Sequence, residues 1–389
     1  MRFFLLNCFL FVCLLANAQP IVYVTEAGRG DGSGTSWTNA LPGTLLASRL
    51  PTAAAGTQFW VAAGIYKPTT TTDRTASFSI ASGVKLYGGF ASTENTLTSR
   101  QMTHPSSTSL SGDIGLRGDN TDNSYHLIML KNASAETHLD NLVITGGNST
   151  DEPITSENAR GIKGAIINVN SYALFTNCLI TKNNTLTPLG RGGGMVNDRS
   201  SPTLINCTFS ENFSYLGGGI CNVNSSQPII TNCLFTSNSA TQGGIGSAIY
   251  SENDSRVSLT NCTIARNADS NSSGMLASTA SIINCIICES TSSNTTGIPV
   301  PSSSQTCALW ADRRVSEFPI NSLFVNAAGS NFRLLYGSPA VDSGYPVAGL
   351  PALDLDDKPR FQGDRIDIGA YEFYCDGNGC LPITVRRRL

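Results

Sequence analysis

Five short segments of this chain share one pattern: TNCLITKNN from Thr176, INCTFSEN from Ile205, TNCLFTSN from Thr231, TNCTIARN from Thr260 and INCIICES from Ile283. Their cysteines, Cys178, Cys207, Cys233, Cys262 and Cys285, lie 29, 26, 29 and 23 residues apart. A repeat of that length is one supersecondary unit that cannot bury its apolar face alone, so the units must stack. A second element, glycine-rich and then apolar, recurs between them: GGGMVN from Gly192, GGGICN from Gly217 and GGIGSAIY from Gly243. An earlier copy is GAIINVN from Gly164, and LDNLVITGGN from Leu139 is a cysteine-free forerunner. Short runs rich in Thr, Ile, Val and Phe, punctuated by Gly, Asn and Ser, predict strands. The expected fold is all-β: a right-handed parallel β-helix, a three-sided solenoid with terminal caps. Equivalent strands then stack about 4.8 Å apart.

Alternation within a unit predicts that Ile205, Cys207 and Phe209 share the interior face, as do Thr231, Cys233 and Phe235, and Thr260, Cys262 and Ile264. The stacked cysteines then have parallel side-chain vectors at the coil spacing. A disulfide needs Cβ atoms at roughly 3.5 to 4.5 Å in a turned geometry, so the ladder is read as buried small hydrophobes. Cys288 and Cys307 bracket a Ser/Thr/Pro-rich excursion, and Cys375 and Cys380 flank a turn sequence; both are candidate structural pairs. A zinc site is not expected, since no CxxC pair is matched by another and His104, His126 and His138 lie far from the cysteines in sequence. The amides Asn177, Asn206, Asn232, Asn261 and Asn284 each precede a ladder cysteine. They point outward if the strand is straight there and stack inside if the coil bends, and in both cases the expected role is structural.

The chain opens on Arg2, an apolar run from Phe3 to Leu15 and the small-residue site Ala16-Asn17-Ala18, which reads as a secretory signal peptide cleaved near Ala18. The run is too short to span a bilayer, and no later stretch approaches the roughly 20 apolar residues that a transmembrane helix needs. The expected location is secreted, extracellular or on the outer cell surface, where disulfides are permitted. Charged residues make up 14% of the chain and its net charge is −3. With basic residues clustered only at Arg386 to Arg388, nucleic acid is excluded as a partner.

Several blocks resemble exported bacterial β-helix proteins of the pectin-lyase-like superfamily, common in the Bacteroidota. They are Val22-Tyr23-Val24, GDGSGTSWTNA from Gly30, FWVAAGIYKPT from Phe59, SFSIASGVKLYGGFASTE from Ser77, LSGDIG from Leu110 and DNSYHLIML from Asp122. The Gly-Gly-apolar elements paired with Phe209 to Asn212 and Phe235 to Asn238 resemble the repeats of polymorphic outer-membrane adhesins. NFRLLYGSPAVDSG from Asn331 and DLDDKPRFQGDRIDIGAYEF from Asp354 resemble the choice-of-anchor Q domain, which in relatives follows a β-helix and precedes surface-sorting signals. Leu381-Pro382-Ile383-Thr384 is similar to the start of a linker to a secretion domain. The expected organisation is a signal peptide at 1–18, a β-helix with its amino-terminal cap at 19–325, a choice-of-anchor Q-like domain at 326–374 and a tail at 375–389.

Many such solenoids cleave acidic polysaccharides, so carboxylates were weighed individually. Asn120-Thr121-Asp122 is superficially like the first piece of a polygalacturonase site, but Gly-His-Gly and Arg-Ile-Lys are missing, and the adjacent pair Asp356-Asp357 falls in the terminal domain. Lys182, Glu211 and Arg266 fall at strand ends, the ordinary place for solvated turn residues. Asp113, Asp119 and Asp122, and separately Asp354, Asp356, Asp357, Asp364 and Asp367, raise the question of calcium; a polar turn is the favoured reading, and no metal is assigned. Tyr125, Tyr172, Tyr215 and Tyr250 have spacings of 47, 43 and 35 residues, which do not match the coil and argue against a sugar platform. No catalytic and no cofactor-binding residues are assigned, and no cofactor is expected. The functional expectation is adhesion or binding of a polysaccharide or cell-surface glycan, with a polysaccharide lyase or glycoside hydrolase as the alternative.

Overall fold

The structure, a computed structural model, describes residues 19–100, 102, 106–153, 162–185, 187, 190–269, 275–277, 279–288, 306–311, 314–361 and 365–374. The expected signal peptide at 1–18, His104, Asp364, Cys375, Cys380 and Arg386 to Arg388 lie outside the described residues. Two ten-stranded sheets and one of seven strands run along a solenoid, and within the coils all pairings are parallel. One coil runs through Leu174–Thr176 in the first sheet, Leu179–Thr181 in the second and Met195–Asp198 in the third, then re-enters the first at Thr203–Ile205. Pairing is in register: Phe175 lies beside Leu204, Ile180 beside Phe209, Met195 beside Ile220. Like side chains therefore stack, as in the parallel rings of Phe209 and Phe235 at 5.0 Å. The amino-terminal end is closed by the short helix Leu46–Arg49 and its flanking 3-10 turns, which bury Leu46 and Leu50 in the core.

The corner between the first two sheets corrects one expectation. Cys207, Cys233 and Cys262 point inward with Phe209, Phe235 and Ile264, but Ile205, Thr231 and Thr260 do not. The asparagine between them is left-handed, with φ of 55° at Asn206, 57° at Asn232 and 50° at Asn261. That turn resets the alternation, and Leu204, Ile230 and Leu259 take the interior places instead. Asparagine tolerates this conformation better than any other residue with a polar side chain of its size. The same turn aims the amides along the axis: Asn206 donates to Asn177 Oδ1 at 3.2 Å, and Asn232 to Asn206 Oδ1 at 2.6 Å.

Two further ladders line the other corners and the core. Asn183, Asn212, Asn238 and Asn267 pass amide bonds of 2.9 Å from coil to coil while also donating to backbone carbonyls. Each follows a left-handed turn residue, Lys182, Glu211, Ser237 or Arg266. Inside the third sheet, Asn168, Asn197 and Asn222 donate in series at 2.7, 2.8 and 2.9 Å, ending on Ser251 Oγ. Gly192 and Gly217, at φ of 65° and 67°, make the turn into this sheet, where a Cβ would meet the carbonyls of Met195 and Ile220 at 2.2 and 2.3 Å. The ladder cysteines are free and buried, with Cys207 N–H on Cys233 Sγ at 3.3 Å. Cys288 and Cys307 form a disulfide.

Past that bridge the topology changes. Thr306–Ala311 and Arg314–Pro319 extend the second sheet antiparallel. Phe324–Asn326 then pairs with Asn331–Leu334, so the expected boundary at 325/326 falls inside a strand. This terminal unit shares one apolar cluster with Leu234, Ala265 and Ile286 on the outside of the second sheet. It also completes the corner ladder: Asn232 donates to Leu353 O at 3.4 Å, Asn261 to Asp367 O at 3.0 Å, and Asn284 to Tyr345 O at 2.8 Å. Arg360, 2% exposed, is held by Glu372 at 2.6 Å and by the carbonyls of Gly369 and Ala370. Asp354 and Asp367 accept backbone N–H bonds that close the loops around this pair. Among the described residues no helix is long and apolar enough to cross a membrane.

Asn212 makes four ladder bonds, so Asn212→Ala leaves several buried groups unpaired and should cost about 3 kcal/mol in urea unfolding. A second prediction concerns pH. Burial pushes the Asp367 carboxyl up to about 6, with the neighbouring Asp342 charge acting in the same direction. Its folded value is thus raised, so its contribution to stability is complete below the unfolded value of about 4 and is lost as pH rises through about 6. The wild-type melting temperature should therefore fall more between pH 5 and 7, which bracket that value to within about one unit on each side, than that of Asp367→Asn.

Candidate functional site: a groove on the third sheet

In the third sheet every second side chain faces outward: Met129, Ile167, Val196 and Cys221 form one apolar row, and Lys131, Val169, Asp198 and Val223 alternate charged and apolar in the next. The first row continues to Tyr250, whose hydroxyl donates to Glu252 Oε2 at 2.9 Å. Val196 is fully buried, covered in part by Ile162. Ile162, Arg191 and Leu216 bridge one another in parallel along one side of this face. Along the other side run the turn residues Asn132, Asn170, Arg199, Asn224 and Asn253, all left-handed with φ between 49° and 56°. The result is a groove of about 720 Å³, floored by Met129, Ile167 and Val169 and closed at its amino-terminal end by Thr75, Ser77 and Tyr125. A smaller hollow of about 270 Å³ between Ile162, Arg191 and Val223 continues along the same face.

Five coils at about 4.8 Å give this face a length of roughly 20 Å. Its charged groups are matched. His126 contacts Glu152 Oε1 at 3.1 Å through Nε2 and Gly164 O at 2.8 Å through Nδ1. Lys163, 4% exposed, donates to Glu152 O at 2.8 Å and has Glu152 Oε2 at 3.7 Å. Asp198 accepts from Asn224 at 2.8 Å and pairs with Arg199 at 3.0 Å, and Arg199 also donates to Asn170 at 3.1 Å. Arg191 is paired with Glu252. Cys221 is buried beneath the groove's continuation, and burial pushes its thiol up to about 12, so it is protonated and inert. Glu152 and Asp198 are the two carboxylates lining the groove, and each is neutralised by an adjacent cation.

Tyr125 and His126 line this groove, while the other residues singled out in the sequence fall elsewhere. Asp119 accepts from Thr121 N at 2.9 Å, Asp122 from Leu116 N at 2.6 Å and Asp113 from Gly118 N at 3.1 Å, which closes one loop. Among the described residues no three His, Cys, Asp or Glu side chains are grouped to hold a metal ion. Lys182, Glu211 and Arg266 are the left-handed turn residues described above. His138 lies on the first sheet, where its Nε2 bonds to Thr176 Oγ1 at 2.8 Å beside the buried Asp140–Arg100 pair at 2.6 Å. Of the four tyrosines, Tyr125 lies under Arg74 at 4.4 Å, Tyr250 is tied to Glu252, and Tyr172 stands 55% exposed. The groove itself was not legible beforehand. The clue was available in IINV, MVND and ICNV, whose first outward positions, Ile167, Val196 and Cys221, are apolar where a solvated face would be polar. Glu152→Ala should strand the buried Lys163 and His126 and cost about 3 kcal/mol in chemical unfolding.

Residues 111–296 match the family model described as "Right handed beta helix region". A solved structure described as "Crystal structure of pectate lyase Pel9A" aligns with 12% identity and a TM-score of 0.44, over 92% of this chain and 97% of that one. No curated protein matches the sequence. The stacked coils and the family match together make this chain an all-β, right-handed parallel β-helix.

Proposed function

We propose that this is an exported β-helix protein, secreted or displayed at the cell surface, that binds a polysaccharide or cell-surface glycan along the third-sheet groove for adhesion. The observation that carries the reading is the groove itself: an open, apolar floor beside a row of turn residues repeated at the coil spacing. A solenoid offers equivalent contacts at regular intervals, which suits a polymer with its own repeat. The apolar floor takes the C–H faces of sugar rings, and Asn132, Asn170 and Arg199 supply hydrogen-bonding edges. Export is supported by the amino-terminal leader pattern and by a disulfide in a chain of low charge. A second reading, cleavage of an acidic polysaccharide, draws on Glu152, His126 and Lys131 lining the same groove.

A glycan array probed with the mature chain, paired with product analysis on uronate polysaccharides, tests both. Retention of at least one polysaccharide is expected, reduced by roughly tenfold or more in Val169→Trp, which fills the groove from a half-exposed floor position. Release of unsaturated or shortened uronate products would overturn the binding-only reading.

A further inference from the structure

A second track runs parallel to the groove, on the far side of the turn row. Buried Ser171, Ser200, Ser226 and Ser255 form a ladder in which each backbone N–H donates to the next hydroxyl, at 2.9, 3.0 and 3.1 Å. The residue following each serine is thereby placed at a fixed height, one coil above the last. Those residues are Tyr172, Ser201, Gln227 and Arg256, and the first three line a shallow trough of about 820 Å³. Its other wall is made of turn residues Asn224, Ser225, Asn253 and Asp254, all left-handed and directed away from the core.

We propose that this trough is a second binding site, distinct from the groove, for a neutral polyhydroxylated glycan whose ring stacks on Tyr172. The tyrosine is 55% exposed, yet its backbone N–H is fixed on Ala133 O at 2.8 Å, so the ring is presented from a rigid base. Apolar faces of sugar rings stack on such rings while the phenol end stays wet. Amides and hydroxyls, which both donate and accept, make up most of the rest of the lining and match sugar hydroxyls without selecting a charge. The guanidinium of Arg199 is already engaged by Asp198 at 3.0 Å and Asn170 at 3.1 Å, and Asp254 offsets it within the trough, so a polyanion gains nothing here. The four-tyrosine pattern failed to match the coil in sequence because Tyr172 alone belongs to this row.

The test is affinity electrophoresis of the mature chain through gels containing neutral polysaccharides (xyloglucan, glucomannan, laminarin) or polygalacturonate. Retardation is expected on at least one neutral polymer, and Tyr172→Ala should weaken it by about tenfold while Tyr172→Phe retains it. Gln227→Ala, at an exposed position, should weaken it by about threefold, the loss of one ordinary hydrogen bond. Tyr172→Ala should weaken the retardation by the same factor in the Val169→Trp background as in the wild type, so a failure of the groove reading does not carry over to the trough. Unchanged retardation in both Tyr172→Ala and Gln227→Ala, or no retardation of the wild type on any neutral polymer, overturns the proposal.

Discussion

Parallel strands stacked in register place every turn of one coil directly on the same turn of the next, at about 4.8 Å. A turn breaks the sheet's hydrogen bonding, so each corner leaves backbone and side-chain groups that the neighbouring coil alone can satisfy. The solenoid resolves this with side chains that carry both a donor and an acceptor. Asn212 and Asn238 each receive one side-chain amide hydrogen bond, give one, and still cap a carbonyl of the coil beneath, while Asn183 begins the series and Asn267 ends it on the carbonyls of Phe235 and Ala265. In the serine ladder the hydroxyls of Ser200, Ser226 and Ser255 instead accept from the backbone N–H of the serine one coil before. The chain can therefore vary its excursions between 23 and 29 residues per coil without losing register, because the ladders hold the corners while the loops change length.

A ladder that passes bonds onward must also end. On the corner between the first and second sheets, the amides from Asn232 to Asn284 are taken over by carbonyls of the carboxy-terminal unit. That unit also covers the outward apolar residues Leu234 and Ile286, which would otherwise face water. Its own fold depends on charge buried at the contact: Arg360 paired with Glu372, with Asp354 and Asp367 closing the loops around them. Burying charge is costly unless it is paired, which ties the terminal unit's order to its seat on the solenoid.

Among the described residues no comparable unit covers the middle coils of the third sheet, where Ile162 packs on Val196, and this is the face that we propose binds a glycan. One outward row stays apolar, the next alternates Lys131, Val169, Asp198 and Val223, and the left-handed turn residues run beside them along the axis. Glu152, Asp198 and Glu252 are each matched by a nearby cation, so the surface presents shape and hydrogen-bonding edges with little net field. A repeating polymer bound there, as we propose, would meet equivalent contacts at the coil spacing.

Strand type, coil length, the inward cysteines and the Cys288–Cys307 pair were all readable from the repeat, because each depends on residue type and interval alone. The alternation at Ile205, Thr231 and Thr260 was misread, because the left-handed turn at the asparagine shows itself only through backbone geometry and shifts which neighbour points inward. Whether the amides faced in or out hinged on that same angle. The groove, the trough beside Tyr172 and the docking of residues 320–374 are consequences of tertiary structure: they join residues tens to hundreds of positions apart, such as Tyr172 with Asp254 and Asn261 with Asp367. A periodic sequence states what stacks on what. Which outer face is then covered and which is left open depends on where non-repeating segments pack, and no interval in the repeat encodes that.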